Sequence, residues 1–382
     1  MDTYDVIVVG LGAMGGAAAY HCARRGARVL GLDSNRPHHT LGSSHGATRA
    51  IREAYFESPD YVPLCQRSIE LWRELEADTG GSLLSTAGAV YVGPEDHPML
   101  RGVATAAEQH GLDAERLSRA DMAIRFPGFA LPDGWGGAFE PRGGVLRSDA
   151  CLAAHVDLAR ARGAEFRFEV PARSWHQNAA GRVVVETRDG KIEAGSVILT
   201  MGPWACDGLR ELGLPLTGRR ITIVHFDAIE PSRYDPADMS VYFWATPEGV
   251  FAGFPHFEHE GVKIMRHDKG DVCTPETVRR DVSAADIGEV EHFADRYMPC
   301  ANRKVRKSLV CLYTMTPDSH FVIDHHPESR NIIYATGFSG HGFKFAPVVG
   351  EILADMALTG ATRHPTGFLK AGRFDNLSPG PA

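Results

Sequence analysis

The 382-residue chain has no long apolar run. No segment reaches the roughly 18 consecutive apolar residues that a helix needs to cross a bilayer. Its first residues indicate a folded strand instead of the charged, apolar and cleavage regions of a signal peptide. We therefore expect a soluble protein whose partners do not include a membrane.

Cysteine is sparse and shows no pairing pattern. The seven cysteines are scattered without a CxxC pair or the spacing of a metal finger, and their number is odd. This distribution excludes a small protein stapled by disulfides and is typical of a reducing compartment. We expect a cytoplasmic location and no metal site.

An excess of positive charge is missing as well. The formal net charge is −8 and the pI is about 6.1, which argues against nucleic acid as the main partner. Only seven of the 40 basic residues are lysines, so a lysine inside an apolar or glycine-rich segment is notable. With 43% apolar and 23% charged residues, the composition excludes a disordered chain, and the length predicts about two domains.

The N-terminal segment has the pattern of a dinucleotide-binding βαβ unit. An apolar strand at 4–9 is followed directly by a GxGxxG turn, an alanine-rich helix and a second strand that ends at Asp33. Gly10 permits the tight turn, Gly12 lets the backbone approach a pyrophosphate and Gly15 allows close packing of helix on strand. Asp33 can accept hydrogen bonds from ribose hydroxyls. The pattern predicts a bound dinucleotide and leaves FAD and NAD open.

Two cationic segments are candidates for substrate binding. Arg49 and Arg52 lie three residues apart beside His45, and an arginine fork suits a carboxylate; a solvated basic turn is the alternative. Lys263 and His267 lie four residues apart on a predicted strand at 262–266 and could face one cavity. An edge-strand lysine that points to solvent is the alternative there.

Two further residues lie in apolar or glycine-rich segments near the C-terminal end. A lone cysteine in an apolar strand is usually a buried small side chain, so its surroundings alone give Cys311 no reactive role. Lys344 follows a glycine-rich turn and precedes a predicted helix at 345–358. Its ammonium group could lie at a ligand site or on the surface.

Five segments together resemble the family of monomeric sarcosine oxidase and N-methyltryptophan oxidase, flavoenzymes of the D-amino-acid-oxidase-like group. They are the runs GLGAMGGAAAY with Asp33, SSHGATRAIREAY, VKIMRH, CLYTMTPDSHFVID and ATGFSGHGFKFAP, in this order over nearly the whole chain. The last two are much more specific than GxGxxG. The resemblance implies that the dinucleotide is FAD.

The fold that this resemblance implies agrees with the sequence pattern, which predicts β-rich segments at 165–200 and 221–266, a polar helix at 275–293 and a strand at 305–315. We predict a fold of the α/β and α+β classes. A Rossmann-like FAD-binding domain of the glutathione-reductase type is interleaved with a substrate domain on a mainly antiparallel sheet. We place the FAD domain at 1–87, 145–218 and 319–382, and the substrate domain at 88–144 and 219–318. We expect a monomer.

The resemblance also implies a covalent cofactor, joined through the sulfur of Cys311 to the 8α carbon of the isoalloxazine. Lys263 would hold a water against the flavin and help to activate O2. Arg52 and Lys344 would bind the substrate carboxylate.

The other implied roles belong to residues around the flavin ring and the substrate amine. His267 and Tyr313 would line the amine side of the pocket, while His45 and Arg49 would flank the flavin ring. The catalytic set is Lys263, Arg49, His45 and His267. The residues expected to contact FAD are Gly10, Gly12, Ala13, Met14, Gly15, Asp33, Arg36, Ser43, Ser44, His45, Arg49, Ala172, Gly202, Trp204, Cys311, Met315, Gly337, Gly340, Gly342, Phe343 and Lys344.

The reaction that the resemblance implies is oxidation of a secondary amine in an amino acid to an imine, which hydrolyses, with O2 reduced to H2O2. Sarcosine-oxidising relatives have a pocket tyrosine where we align Ala252, so we predict a bulkier N-methylated substrate. A cyclic or sugar-conjugated secondary amino acid, of the pipecolate or fructosyl type, is the alternative. An NAD-dependent dehydrogenase and a flavin-bearing sensing module are alternatives from other classes.

Overall fold

Two large β-sheets carry the fold. The computed structural model describes residues 3–258, 260–302 and 304–375, and these residues form an eight-stranded, a nine-stranded and a three-stranded sheet. In chain order the strands are β1 Thr3–Val9, β2 Val29–Leu32, β3 Thr48–Ile51, β4 Leu84–Thr86, β5 Ala89–Pro94, β6 Glu115–Leu117, β7 Trp135–Glu140, β8 Gly144–Arg147, β9 Glu165–Arg167, β10 Ala172–Gln177, β11 Val183–Thr187, β12 Gly190–Leu199, β13 Thr217–Asp227, β14 Val241–Thr246, β15 Gly249–Phe254, β16 Val262–Arg266, β17 Asp271–Val272, β18 Lys304–Met315, β19 Val322–His326 and β20 Ser329–Thr336. The α-helices are α1 Ala13–Arg24, α2 Val62–Thr79, α3 Pro98–His110, α4 Arg119–Arg125, α5 Ser148–Ala161, α6 Ala205–Gly208, α7 Ala284–Tyr297 and α8 Ala346–Thr359. Short 3₁₀ helices occupy Pro59–Tyr61, Gly202–Trp204, Arg210–Leu212, Pro231–Tyr234, Phe343–Phe345, Gly367–Leu369 and Ala371–Phe374.

The eight-stranded sheet positions the glycine-rich turn. Its order is β10-β11-β12-β1-β2-β9. Strand β20 pairs with the second half of β12 on one side and with β19 on the other. Strand β1 is parallel to both neighbours and buried on both faces: Val6 and Val8 pack with α1 and α8, while Ile7 and Val9 pack in the opposite cluster. This double coverage explains its near-continuous apolar sequence. Gly10 therefore stands at the carboxyl end of a parallel strand, where such sheets bind ligands.

The nine-stranded sheet forms a wall of the cavity described below. Its order is β17-β13-β16-β15-β14-β5-β7-β6, with β18 along β13; β5 and β14 are parallel and the other pairings are antiparallel. Helix α7 covers one face, where Phe293 stacks on Phe251 with ring centroids 4.2 Å apart. The opposite face carries the predicted site residues of β15, β16 and β18. The predicted fold class is confirmed.

One helix begins later than its sequence pattern predicts. The polar helix expected at 275–293 is α7, which starts at Ala284. Ser283 accepts a hydrogen bond from the Asp286 N–H, and the Asp286 carboxylate accepts one from the Ser283 N–H, which is a capping box. This local cap, and not the run of polar residues before it, sets the start of the helix.

The domain division remains a proposal that sheet membership supports. Strands of the eight-stranded sheet come from three separate segments, 3–32, 165–199 and 322–336, and those of the nine-stranded sheet come from 89–140 and 217–315. Both sets alternate along the chain, as interleaved domains require. The three-stranded sheet, of order β3-β8-β4, lies near the predicted boundaries at 87 and 144.

Candidate active site

A cavity of about 1220 Å³ brings the predicted site residues together. Its lining runs from the turn after β1 through residues 34–50 to the cavity face of the nine-stranded sheet and the segment 337–344. Pockets for small molecules usually measure about 300–1,000 Å³. This cavity is therefore large enough for a dinucleotide together with a small substrate.

The glycine-rich turn has the geometry that its sequence pattern demands. Gly10 has a φ of +88°, and a Cβ there would lie 2.5 Å from the Thr200 carbonyl oxygen. A Cβ on Gly15 would lie 1.8 Å from the Gly10 oxygen, so Gly15 serves the packing of α1 on β1 and does not itself line the cavity. In the first turn of α1, the Ala13 N–H donates to the Ser44 hydroxyl at 3.2 Å, and the cap residue Gly12 has no side chain to bind the others, which leaves them for a ligand.

Asp33 is fixed at the end of β2 by two backbone donors. Its Oδ2 accepts from the Leu11 N–H at 2.8 Å, and its Oδ1 accepts from the Asn35 N–H at 2.8 Å. Each carboxylate oxygen retains a lone pair for a further donor. The side chain is buried and lines the cavity, as binding of a ribose requires.

The segment 43–49 lies alongside β18, next to Cys311. The Ser43 hydroxyl donates to the Leu312 carbonyl at 2.6 Å, and the Cys311 Sγ lies 3.7 Å from the Ser43 carbonyl oxygen. Arg49 donates to the carbonyl oxygens of Ser43, His45 and Thr48, so its guanidinium braces this loop. Cys311 is buried and lines the cavity.

His45 is neutral at physiological pH. Burial, aided by the Arg49 charge, lowers the pKa of His45 to about 4. Its Nε2 is buried and has no hydrogen-bond partner among the described residues. That nitrogen is available to a ligand in the cavity.

Lys263 is a buried cation on the wall of the cavity. Its Nζ donates to the Thr48 carbonyl at 3.0 Å, the Thr48 hydroxyl at 3.1 Å and the Gly46 carbonyl at 3.2 Å. Burial and the nearby Arg49 charge hold the pKa of Lys263 well below its usual range. The predicted strand placed this lysine correctly, since β16 presents Lys263 to the cavity and not to solvent.

Arg52 provides a second buried cation. Its Nη2 is paired with the Glu57 carboxylate, and its guanidinium carbon lies 3.9 Å from the Tyr55 ring centroid and 4.3 Å from that of Phe56. Its Nε and Nη1 are buried without hydrogen-bond partners among the described residues. Burial alone would raise the pKa of Glu57, but the Arg52 charge lowers it to about 2. The arginine thus keeps donors free for an anion at the cavity wall.

Lys344 lies next to this arginine. Its Nζ donates to the His341 carbonyl at 2.7 Å and to the Tyr55 hydroxyl at 3.4 Å. Burial, together with the Arg52 charge, lowers the pKa of Lys344 to about 7. Tyr55 is also hydrogen-bonded to His341 Nδ1, and His341 Nε2 donates to the Ser319 carbonyl at 2.9 Å. This fixes the Nε2–H tautomer of His341 and makes the Tyr55 hydroxyl the donor.

His267, directly after β16, meets Tyr313 of β18 across the intervening strand β13. The His267 Nδ1 is 3.1 Å from the Tyr313 hydroxyl, and burial lowers the pKa of His267 to about 4. Tyr313 packs so closely on Gly340 that a Cβ there would lie 2.3 Å from its ring, at a φ of +80°. Burial also raises the pKa of Tyr313, so both polar side chains are uncharged at neutral pH.

Ala252 lies in a row of apolar side chains across the sheet. It is directly opposite Phe243 on β14 and Met265 on β16, and Met265 is opposite Ile223 on β13. All four line the cavity, and the Arg52 guanidinium carbon lies 5.1 Å from the Phe243 ring centroid. The small Ala252 thus has a larger neighbour on each side.

Most of the remaining predicted residues also line the cavity. These are Gly12, Ala13, Met14, Arg36, Ser44, Ala172, Gly202, Trp204, Gly337, Gly342 and Phe343. Met315 does not line it, because the part of β18 that borders the cavity is 311–314 and stops one residue before Met315.

Sequence reasoning missed Tyr55, Glu57, His341 and Thr336. Tyr55, His341 and Thr336 lie inside two of the quoted runs, which was the available signal. Glu57 had none, because its environment depends on contacts that sequence patterns do not show.

The residues at the cavity suit FAD. Buried polar atoms without partners in the described structure face it from three sides, on His45, Arg52 and Thr336, and the glycine turn leaves room for a pyrophosphate. Within the described ranges no group of three or more His, Cys, Asp or Glu side chains could hold a metal ion. Every helix in those ranges is too short or too polar to span a bilayer.

Comparison with known proteins identifies the family. The family model for DAO, FAD dependent oxidoreductase, matches residues 5–356. The chain is 41% identical over 379 residues to monomeric sarcosine oxidase from Streptomyces avermitilis, covering 97% of this chain and 98% of that protein. It is 36% identical over 359 residues to N-methyl-L-tryptophan oxidase from Salmonella arizonae, covering 93% and 95%.

Solved structures show the same fold. The open form of NikD, an unusual amino acid oxidase essential for nikkomycin biosynthesis, superposes with a TM-score of 0.85 at 26% identity and covers 97% of this chain and 98% of its own. L-proline dehydrogenase from P. horikoshii has a TM-score of 0.85 at 21% identity, covering 98% of each chain, which shows the fold alone. The resemblance predicted from sequence is confirmed, and so is the dependence on FAD. The chain belongs to the DAO family of FAD-dependent oxidoreductases, among relatives that include monomeric sarcosine oxidase.

Proposed function

We propose that this protein is an oxidase of N-methylated or other secondary-amine amino acids. The observation that carries the proposal is the pair of buried cations, Arg52 and Lys344, at the same cavity as the dinucleotide turn and Cys311. An amino acid offers them a carboxylate, and Arg52 has free donors for it. The named activities of the sarcosine and N-methyltryptophan oxidases support this choice.

The protein's part in the reaction is to bind, orient and balance charge. When bound, FAD supplies the oxidising chemistry, taking two electrons from the substrate amine and passing them to O2, which leaves as H2O2. Gly10, Gly12 and the first turn of α1 would hold the pyrophosphate, and Asp33 the ribose. His267, neutral at pH 7, adds no positive charge on the amine side. Lys263 would stabilise negative charge that develops on oxygen.

Cys311 is the proposed covalent attachment point. Formation of a thioether removes the thiol hydrogen and one 8α hydrogen, and both leave with two electrons on O2 as H2O2. We expect Cys311→Ala to yield protein whose flavin is released by acid precipitation, whereas wild-type protein stays yellow. Cys65→Ala, a buried thiol that does not line the cavity, is the control and should retain the colour. Full covalent loading of the Cys311 variant would contradict the assignment.

The apolar row sets the size of the substrate side chain. Ala252 lies between Phe243 and Met265. The space that a tyrosine fills in the sarcosine-oxidising relatives is therefore bounded here by two apolar side chains. We expect N-methyl amino acids with apolar side chains to be oxidised faster than sarcosine. Filling the gap with Ala252→Phe should lower kcat/KM for these substrates about 10-fold or more relative to sarcosine.

The control for the size prediction is a substitution on the face of β16 that points away from the cavity. Ile264→Val changes the opposite face of β16, in the cluster under α7, and should leave the ratio of kcat/KM values unchanged. A wild-type preference for sarcosine over every larger N-methyl amino acid would overturn the size prediction.

The assay that tests the function measures peroxide from a panel of substrates. N-methylated, cyclic and fructosyl amino acids should include substrates that release H2O2, and their primary-amine parents should be poor substrates. A colourless protein that binds NADH and releases no peroxide would overturn the proposal. We further propose that the protein acts as a monomer and that it is cytoplasmic, because the absence of disulfides among its seven cysteines favours a reducing compartment.

A further inference from the structure

A buried carboxylate stands behind the cavity at the end of β7. Glu140 is 2% exposed and does not line the cavity. Its Oε1 accepts from the Tyr91 hydroxyl at 2.8 Å and from the Glu53 N–H at 3.0 Å. Its Oε2 accepts from the Ala54 N–H at 2.5 Å and from the Glu53 N–H at 3.0 Å.

The two backbone donors belong to the segment that carries the carboxylate-binding groups. Arg52 directly precedes Glu53, and Tyr55 directly follows Ala54. Tyr55 in turn packs on the Arg52 guanidinium and hydrogen-bonds Lys344. One carboxylate on β7 therefore fixes the stretch of backbone from which Arg52 and Tyr55 reach the cavity.

Charged groups of both signs lie in this region. The basic groups of Arg52 and Lys344 are accompanied by three carboxylates: Glu57, which pairs with Arg52, Glu53, which lies 3.3 Å from Arg142, and Glu140. Burial raises the pKa of Glu140, while its hydrogen bonds and the Arg52 charge act in the opposite direction. The backbone N–H groups that face Glu140 can only donate, and a carboxylate offers them two acceptor oxygens where an amide offers one.

We propose that Glu140 is a positioning residue for substrate carboxylate binding, acting through the 53–54 backbone on Arg52 and Tyr55. Unlike Glu57, it does not compete with the substrate for Arg52 donors. The proposal rests on the carboxylate-binding role assigned above to Arg52 and Lys344.

The test compares ligands with and without a carboxylate. In Glu140→Gln, an NH2 group replaces one of the two oxygens, so the Glu53 and Ala54 N–H groups share one acceptor and the segment is held less firmly. We expect the dissociation constant for propionate, measured by thermal-shift titration, to rise at least 10-fold, together with the KM for an N-methyl amino acid. The KM for a secondary amine that lacks the carboxylate, and the content of covalent flavin, should stay within twofold of wild type.

Glu76→Gln is the matched control. Glu76 likewise accepts from two backbone N–H groups, those of Leu83 at 2.6 Å and Leu84 at 2.9 Å, but it does not line the cavity or contact the Arg52 segment. Its variant should bind propionate as wild type does. Tyr91→Phe removes one donor to Glu140 and should give a smaller rise of the same kind, of about 2- to 5-fold, which decides the question if Glu140→Gln does not fold.

Two results would overturn the inference. One is a propionate affinity within twofold of wild type in the folded variants. The other is an equal loss for ligands with and without a carboxylate. Wild-type protein that binds propionate but oxidises no secondary amine would instead refute the proposed function and leave the role of Glu140 standing.

Discussion

At the scale of single residues, burial determines which charges the site carries. Arg52 is a cation that water no longer solvates, burial lowers the pKa of Lys263 and brings that of Lys344 to about 7, and His45 and His267 are neutral at pH 7. Sequence patterns identified each of these positions, because cations and histidines in apolar or glycine-rich runs are conspicuous. Glu140 was not identified, since the backbone groups that it binds lie 86 and 87 residues away in sequence. Glu57 lies only five residues from Arg52, but no helix or strand covers 52–57 to relate the two side chains by a regular period.

Lys344 predicts a pH dependence of ligand binding. Its folded-state pKa is lowered from 10.5 to about 7, so the unfolded chain binds the extra proton between these values. Stability should therefore rise with pH through this window, whereas affinity for a carboxylate should fall above about pH 7 as the ammonium group loses its charge. A titration with propionate from pH 6 to 9 measures this. Lys344→Met should bind about 10- to 100-fold more weakly and lose the pH dependence; an unchanged profile in the variant would assign the titration to another group.

Lys263 predicts a selective loss in the reaction with oxygen. Replacing it by Met should slow reoxidation of the substrate-reduced enzyme by about 100-fold or more, with a smaller effect on the reductive step. Stopped-flow mixing separates the two steps. Lys307→Met is the control, because Lys307 is an exposed, ion-paired lysine on β18. Equal slowing of both steps in the Lys263 variant would count against an oxygen-directed role.

At the scale of elements, strand alternation and the parallel βαβ unit explain why much of the fold was predictable. The strand predicted at 262–266 is β16 as observed, and its period of two places Lys263 and Met265 on the cavity face. The start of α7 was not predictable from polarity, because the Ser283 capping box sets it. The position of Met265 beside Ala252 in the apolar row was not predictable either, because strand register depends on pairing between distant segments.

Helix α1 offers a test with opposite outcomes at adjacent glycines. A Cβ on Gly15 would lie 1.8 Å from the Gly10 oxygen, while one on Gly16 would meet its nearest neighbour, Val156, at 3.5 Å. Gly15→Ala should destabilise the fold by about 1–3 kcal/mol or more and reduce FAD content. Gly16→Ala should be neutral or stabilise it by up to about 1 kcal/mol. Urea unfolding and flavin absorbance measure both, and equal behaviour of the two variants would contradict the packing role of Gly15.

At the scale of the whole molecule, interleaved segments bring local positive charge to an acidic protein. The net charge is −8, yet two of the seven lysines and five arginines line one cavity between distant parts of the chain. An anionic substrate is thus compatible with the acidic total, because the local field at a buried site outweighs distant surface charges.

Above all, we propose that this protein oxidises a secondary-amine amino acid with O2 as the electron acceptor. The most direct measurement follows amine loss, O2 uptake and H2O2 release in one vessel with an N-methyl amino acid that has an apolar side chain. We predict that the three amounts are equal and that no added NAD is reduced. Amine loss coupled to NAD reduction without peroxide, or no reaction with any secondary amine, would contradict the account.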